Sequence, residues 1–234
     1  ANYLIKHSTG SGKSYSMAWL AHLLASLHRD EGREKVFGTV LLVTDRVQLD
    51  AQLSSLVHSI NPDAQIHIAC STAELGSHLV DAPTGVSSTR IITSTLQKFF
   101  HLAKDKPKKT INANIAVIID EAHSSQGSDL QASMEDVLNT LADKSQANIS
   151  YYAFTATPRD VTRETFGIGE PGDRRPFHIY GMKQAREEGF IVDVLQNLTC
   201  FRPIAKLGSD DPEAVVDQAD LRGAAAEKYE VINV

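Results

Sequence analysis

His7-Ser8-Thr9-Gly10-Ser11-Gly12-Lys13-Ser14 lies between a short apolar run, Tyr3-Leu4-Ile5, and a second apolar stretch from Met17 to Leu27. The first run can end a buried strand, and the second is apolar enough for a largely buried helix. Strand, glycine loop and helix, in that order, is the context a phosphate-binding loop requires. Gly10 and Gly12 let the backbone curl so that successive N–H groups face phosphate oxygens, and the following helix adds its positive N-terminal end. Thr9, Gly10, Ser11 and Gly12 would form the cradle. Lys13 would reach the β and γ phosphates as a point charge, and the Ser14 hydroxyl would ligate Mg²⁺. The full pattern begins with glycine where this chain has His7. A competing reading is a glycine turn that merely caps a helix through Ser11 or Ser14.

The bulk numbers bound the possibilities. A chain of 234 residues with 42% hydrophobic content can bury one large domain or two small ones. No run of about 18 apolar residues is present to span a bilayer, and the first residues Ala1-Asn2-Tyr3 lack the charged and apolar regions expected of a signal peptide. With a strand starting almost at once and no initiator Met, the chain is expected to be a piece of a longer protein. Cys70 and Cys200 lie far apart with no metal-type spacing, so the expected setting is reducing and cytoplasmic. A net charge of −6 argues against a broad basic surface for nucleic acid, although local contacts remain open. Lys98, Lys104, Lys106, Lys108 and Lys109 cluster between two apolar runs, where a solvated loop competes with a phosphate contact.

Along the chain, strands alternate with helices. Val40-Leu41-Leu42-Val43 is a continuous apolar run suited to a central parallel strand. Val47, Leu49, Leu53, Leu56, Val57 and Ile60 then recur at mostly helical spacing up to Asn61-Pro62. Ile66 to Ala69 predicts a short strand, and Thr72 is expected to cap a brief helix through Leu79, with Glu74 in its first turn. Arg90-Ile91-Ile92-Thr93 predicts a strand leading into a short helix carrying Leu96, Phe99 and Phe100. Ile115-Ala116-Val117-Ile118-Ile119 is the clearest buried strand and runs into Asp120-Glu121-Ala122-His123. Leu130, Met134, Val137, Leu138 and Leu141 mark one face of an amphipathic helix. Ile149 to Phe154 predicts a further strand, ending in Thr155-Ala156-Thr157-Pro158. A polar loop from Gly167 to Pro176, a short helix around Gln184 to Glu188 and a β-rich run from Phe190 to Phe201 complete this part. No internal repeat is present. The pattern predicts an open, doubly wound α/β sheet with functional loops at the carboxyl ends of its strands. From Ser209 onward, seven acidic residues stand against Arg222 and Lys228, with a helix candidate only near Ala224, so this tail is expected to be a linker or the entry to a further domain.

Two acids at the end of a buried strand, downstream of a phosphate loop, are what nucleotide hydrolysis needs. Asp120 would hold Mg²⁺ through its water shell, and Glu121 would orient and deprotonate the attacking water. His123 could link this site to Thr155-Ala156-Thr157 at the neighbouring strand end. Lys13, Asp120, Glu121 and His123 are therefore the candidate catalytic set. The competing reading is an acidic helix N-terminus favoured by the helix dipole.

Gly10-Ser11-Gly12-Lys13-Ser14, Asp120-Glu121-Ala122-His123 and Thr155-Ala156-Thr157 resemble motifs I, II and III of superfamily 2 helicases and translocases. The resemblance narrows with Val43-Thr44-Asp45-Arg46 plus Leu49 and Gln52, and with Thr95-Leu96-Gln97-Lys98-Phe99. It also includes the extension through Ser124-Ser125-Gln126, Tyr180 to Ala185, and Glu188 to Leu195. Together these strings look like the motor (R) subunit of type I restriction enzymes. The resemblance implies a RecA-like P-loop NTPase fold over residues 1–200, an open and mostly parallel sheet with helices on both faces. Residues 201–234 would then be a linker or the entry to a second RecA-like domain. It implies ATP and Mg²⁺ at the loop, duplex DNA as the track, and modification and specificity subunits as partners. Arg46, Ser94, Thr95, Gln97 and Lys98 would lie on the DNA-facing side, contacting phosphates without reading bases. Thr155, Ala156 and Thr157 would couple hydrolysis to motion. Alternatives drawn from the residues stay open: Arg46 as a surface residue beside a helix cap, Thr95 and Gln97 as helix-start polarity, Thr155 and Thr157 as strand-end hydrogen bonding. Another superfamily 2 enzyme, or a module that only binds nucleotide, would share the loop.

Overall fold

Thr39-Val40-Leu41-Leu42-Val43-Thr44 is buried at every position, as is Ile115-Ala116-Val117-Ile118-Ile119. Strands without a polar face must be covered on both sides, which is the condition of a parallel sheet between helical layers. The computed structural model describes residues 1–29, 35–80, 90–105, 114–122, 134–140 and 148–193, together with three short strands further on. In chain order the elements are β1 (Asn2–His7), α1 (Lys13–Ser26), β2 (Thr39–Thr44), α2 (Val47–Ile60), β3 (Ile66–Ile68), α3 (Thr72–Val80) and β4 (Arg90–Thr95). There follow α4 (Leu96–Asp105), β5 (Ile115–Ile119), α5 (134–140), β6 (Ile149–Thr155), α6 (Asp160–Phe166), β7 (His178–Tyr180) and α7 (Met182–Glu187).

The strands form one sheet in the order β3-β4-β2-β5-β6-β1-β7, parallel at every pairing. Alternate residues feed two cores. Leu41, Val43, Ile115, Val117, Ile119 and Ala153 face a layer completed by Leu75 and Leu79 of α3, Phe99 of α4, Val137 and Leu138 of α5, and Phe166 of α6. Val40, Leu42, Ala116, Ile118 and Phe154 face Met17, Ala18, Ala21 and Leu24 of α1 and Leu53 and Val57 of α2. The fold is therefore the expected α/β one, a RecA-like sheet with helices on both faces. Each fully buried aliphatic or aromatic side chain contributes about 1.5–3 kcal/mol.

Local details differ from the sequence reading where a single residue decides them. α1 buries one stripe only, and Tyr15, Trp19 and Leu23 on the other side are all more than half exposed. A helix laid on a sheet covers one face, whatever the composition of the other. α3 is capped by Ser71, not Thr72: the Glu74 N–H donates to Ser71 Oγ at 3.2 Å, while the Glu74 carboxylate accepts from the Cys70 N–H at 2.9 Å. This is a reciprocal capping arrangement shifted one residue upstream. In α5, Met134, Val137 and Leu138 are buried as the periodicity predicts. Leu130 and Leu141 lie outside the described residues. Phe190 and Ile191 form a bend rather than the start of a strand, because Gly189 follows α7 at φ 79° and the chain folds back, and Val192 and Asp193 are in no regular element. The rest of that β-rich run, to Phe201, falls outside the described residues, as do the helix candidate near Ala224 and Lys106, Lys108 and Lys109.

Ala1–Ile191 forms one compact unit and Val192–Val234 another. The second contains a small antiparallel sheet in the order β10-β8-β9, formed by β8 (Ala205–Leu207), β9 (Val215–Val216) and β10 (Tyr229–Val231). Among the described residues no helix is long and apolar enough to cross a membrane.

Candidate nucleotide site

A parallel sheet brings all its carboxyl ends to one edge, and the registers here align the ends that carry the sequence motifs. Lys6 pairs with Thr155, His7 with Tyr180, Val43 with Ile119, and Thr44 with Thr95. The glycine loop, the acidic pair and the threonine pair thus meet at that edge although they are scattered along the chain.

Gly10 and Gly12 have φ of 76° and 83°, the left-handed region that the loop needs and that side chains disfavour. Gly12 is the N-cap of α1, and no side chain caps the helix there. Ser11 Oγ instead donates to the Ser8 carbonyl at 2.6 Å, closing the loop on itself. The capping alternative for Ser11 and Ser14 is thereby set aside. Among the described residues no side-chain acceptor caps the first turn of α1, which fits a bound phosphate.

Lys13 Nζ donates to Glu121 Oε1 at 2.6 Å, so the loop lysine and the second acid of the strand-end pair share one point in space. Asp120 is almost wholly buried, and its N–H extends the sheet ladder by donating to the Val43 carbonyl at 2.9 Å. Its Oδ1 accepts the Glu121 N–H at 2.9 Å. Glu121 has φ 49°, the one positive value outside glycine among the described residues. That conformation costs about 1–2 kcal/mol, and nothing in the sequence announces it. Ser14 is exposed beside Lys13, so a hydroxyl and the Asp120 carboxylate are the oxygen donors that fit a Mg²⁺ ion held with a nucleotide.

His123 lies outside the described residues. Among the described residues, Ala122 links the acidic pair to β6: its N–H donates to the Phe154 carbonyl at 3.1 Å. Thr155 is fully buried and its Oγ1 accepts the Thr157 N–H at 3.2 Å, across the intermediate Ala156. The threonine pair therefore sets the shape of the turn leaving β6.

The residues expected to face DNA separate into two kinds. Arg46 is exposed at the N-cap of α2, and the exposed Gln97 donates through Nε2 to the Asp45 carbonyl at 2.8 Å, tying the ends of β4 and β2 together. Ser94 and Thr95 are buried. Lys98 turns inward, donating to the Ala69 carbonyl at 2.5 Å and lying 3.8 Å from Asp50 Oδ2. Burial pushes the Asp50 carboxyl up, and Lys98 partly offsets this.

One group of residues backs the loop without any signal in motif spacing. The Ser8 N–H donates to the Tyr180 carbonyl at 3.0 Å. His7 Nε2 lies 3.0 Å from His178 Nδ1, and the His7 ring packs against Phe154 and Tyr180. Burial, helped by His178 and Lys13, pushes His7 down to about 4, so it is neutral at physiological pH. Where the loop pattern has glycine, this chain uses a buried neutral imidazole to join β1 to the edge strand β7.

A parallel sheet carrying an uncapped glycine loop and loop lysine after β1, and an acidic pair after β5 two strands away, defines a RecA-like P-loop NTPase domain. The chain belongs to the SWI2/SNF2 ATPase family, whose model matches residues 2–210. Among solved structures, it is similar to the yeast DEAD-box splicing factor Prp28, at 18% identity and a TM-score of 0.48 over 68% of this chain and 38% of that one. It is also similar to Mss116p bound to ssRNA and AMP-PNP, at 16% identity and a TM-score of 0.46 over 70% of this chain and 34% of that one. The chain thus spans well under half of either; the fold assignment rests on its own topology. A comparison with curated proteins finds no match.

Proposed function

We propose that this chain is the nucleotide-holding half of an ATP-driven motor on duplex DNA, of the kind found in the motor (R) subunit of type I restriction enzymes. The observation that carries the reading is the meeting of Lys13 and Glu121 at 2.6 Å, with Thr155 on the strand between theirs. ATP is the substrate. The loop N–H groups and Lys13 bind its phosphates, and Ser14 and Asp120 hold Mg²⁺, which supplies charge neutralisation there. Glu121, released from Lys13 as phosphate takes the lysine, orients the attacking water and accepts its proton. The turn from Thr155 to Thr157 is joined to the acidic pair through the Ala122–Phe154 hydrogen bond, so a change at Glu121 is passed to β6 and the loop beyond it. Arg46 and Gln97, the members of the expected DNA-facing set presented to solvent, carry the DNA side, with Ser94, Thr95 and Lys98 supporting them from within. Modification and specificity subunits are the proposed partners, and the cytoplasm the proposed setting.

Membership of the SWI2/SNF2 ATPase family favours a second reading, a remodelling-type translocase with the same fuel site and different partners. Both readings are tested on the full-length protein by ATP turnover with and without duplex DNA. Under the first, turnover requires the modification and specificity subunits and DNA carrying their site. Stimulation by any duplex without those subunits would favour the second, and no stimulation under either condition would leave a nucleotide-binding module without motor activity.

A further inference from the structure

The segment after β7 is built against the phosphate loop. Tyr180 is in register with His7, the first residue of the loop, and its carbonyl takes the Ser8 N–H. α7 then runs six residues and stops at Gly189, whose φ of 79° lets the chain double back. The N–H groups of Phe190 and Ile191 both donate to the Ala185 carbonyl, at 2.8 and 3.3 Å, which fixes the turn. Ile191 Cγ2 comes to 3.3 Å from where a Cβ on Gly10 would stand, so this turn touches the loop at the residue that forms its cradle.

Phe190 is fixed by this turn yet 63% exposed, with its ring edge-on to Tyr180 at a centroid distance of 6.3 Å. Tyr180 is held in turn: its hydroxyl donates to Glu188 Oε2 at 2.5 Å, and Gln184 Nε2 donates to the other carboxylate oxygen at 2.8 Å. An aromatic ring this exposed, on a turn held by backbone hydrogen bonds, adds little to the core of the sheet. Beside a phosphate loop it has the shape and chemistry to receive a flat heteroaromatic ring, since stacking needs only a π-face and a fixed orientation. Glu188 adds a hydrogen-bond acceptor that an exocyclic amino group on such a ring can use.

We infer that Tyr180, Phe190 and Ile191 form the subsite for the base of the nucleoside triphosphate, with Phe190 as its stacking face. The inference rests on the reading of His7 to Ser14 as the nucleotide loop and adds the residues that recognise the other end of the same ligand. The base is bound by a turn some 180 residues downstream of the loop, brought there by the β1–β7 pairing.

The test compares two ligands on the full-length protein, ATP and inorganic tripolyphosphate, each with Mg²⁺, by equilibrium binding. Phe190→Ala should weaken ATP by roughly tenfold or more, the size of one aromatic–base stack, while tripolyphosphate, which has no base, stays within about twofold. Phe190→Tyr should keep both near wild type. Equal loss of both ligands in Phe190→Ala would make the turn a support for the loop and overturn the subsite, as would no loss of either. Lys13→Ala separates the two readings. If it keeps both ligands, the loop assignment fails and the subsite with it. If it loses both while Phe190→Ala loses neither, the subsite alone fails.

Discussion

Lys13 Nζ lies 2.6 Å from Glu121 Oε1, joining the first turn of α1 to the residue just beyond β5. On the proposed function, phosphate takes the lysine from the acid, and the acid then serves as the base. Glu121→Gln should bind MgATP as tightly as wild type or slightly more tightly, while turnover falls by about a hundredfold or more. Single-turnover hydrolysis beside equilibrium binding checks this. Loss of binding would instead make Glu121 a structural support of the loop.

Gly12 stands at φ 83° with open space where a Cβ would go, so the cost of a side chain there is conformational alone. Gly12→Ala should destabilise the fold by about 1–2 kcal/mol and weaken ATP through a distorted loop. Denaturant unfolding and nucleotide titration on the same variant read the two effects separately.

Lys98 is turned toward Ala69 and Asp50, both in the interior of the fold. Lys98→Ala should lower stability by about 1–3 kcal/mol without any DNA present, because it strands a buried carboxylate and a carbonyl. A residue serving only as a phosphate contact would behave otherwise. Its loss would leave unfolding unchanged and reduce the salt dependence of DNA binding by about one ion. Arg46, exposed at the N-cap of α2, is expected to show that second behaviour.

His7 offers a pH test. Its ordinary value is 6.5 and burial beside His178 and Lys13 lowers it to about 4. Between those values the unfolded chain binds the proton more readily than the folded one. The contribution is therefore fully present above pH 6.5 and is lost as pH falls toward 4, by up to about 3 kcal/mol. Urea unfolding at pH 7.5 and pH 5 should show a smaller loss in His7→Gln than in wild type. Identical losses would mean that the His7–His178 contact carries no titration.

The strands and most helices were legible because local pattern decides them. A run such as Ile115-Ala116-Val117-Ile118-Ile119 can only be buried on both faces. Met134, Val137 and Leu138 can share only one side of a helix. Where the reading slipped, one hydrogen bond or one dihedral was responsible: Ser71 rather than Thr72 accepting the Glu74 N–H, and Gly189 turning the chain before Phe190 could start a strand. Local sequence does not choose between adjacent candidate caps of equal chemistry.

For the site, the sequence by itself determined the chemistry: a loop with glycines where φ must be positive, a lysine, and an acidic pair after a buried strand. Those choices follow from backbone geometry and charge, which act over a few residues. Only the tertiary structure decided the company these groups keep. The register of parallel strands sets Lys13 on Glu121, turns Lys98 inward, and places His178, Tyr180 and Ile191 behind a loop they follow by most of the length of the chain. Contacts of that separation depend on which strand lies beside which, and strand order is a property of the whole sheet rather than of any segment in it.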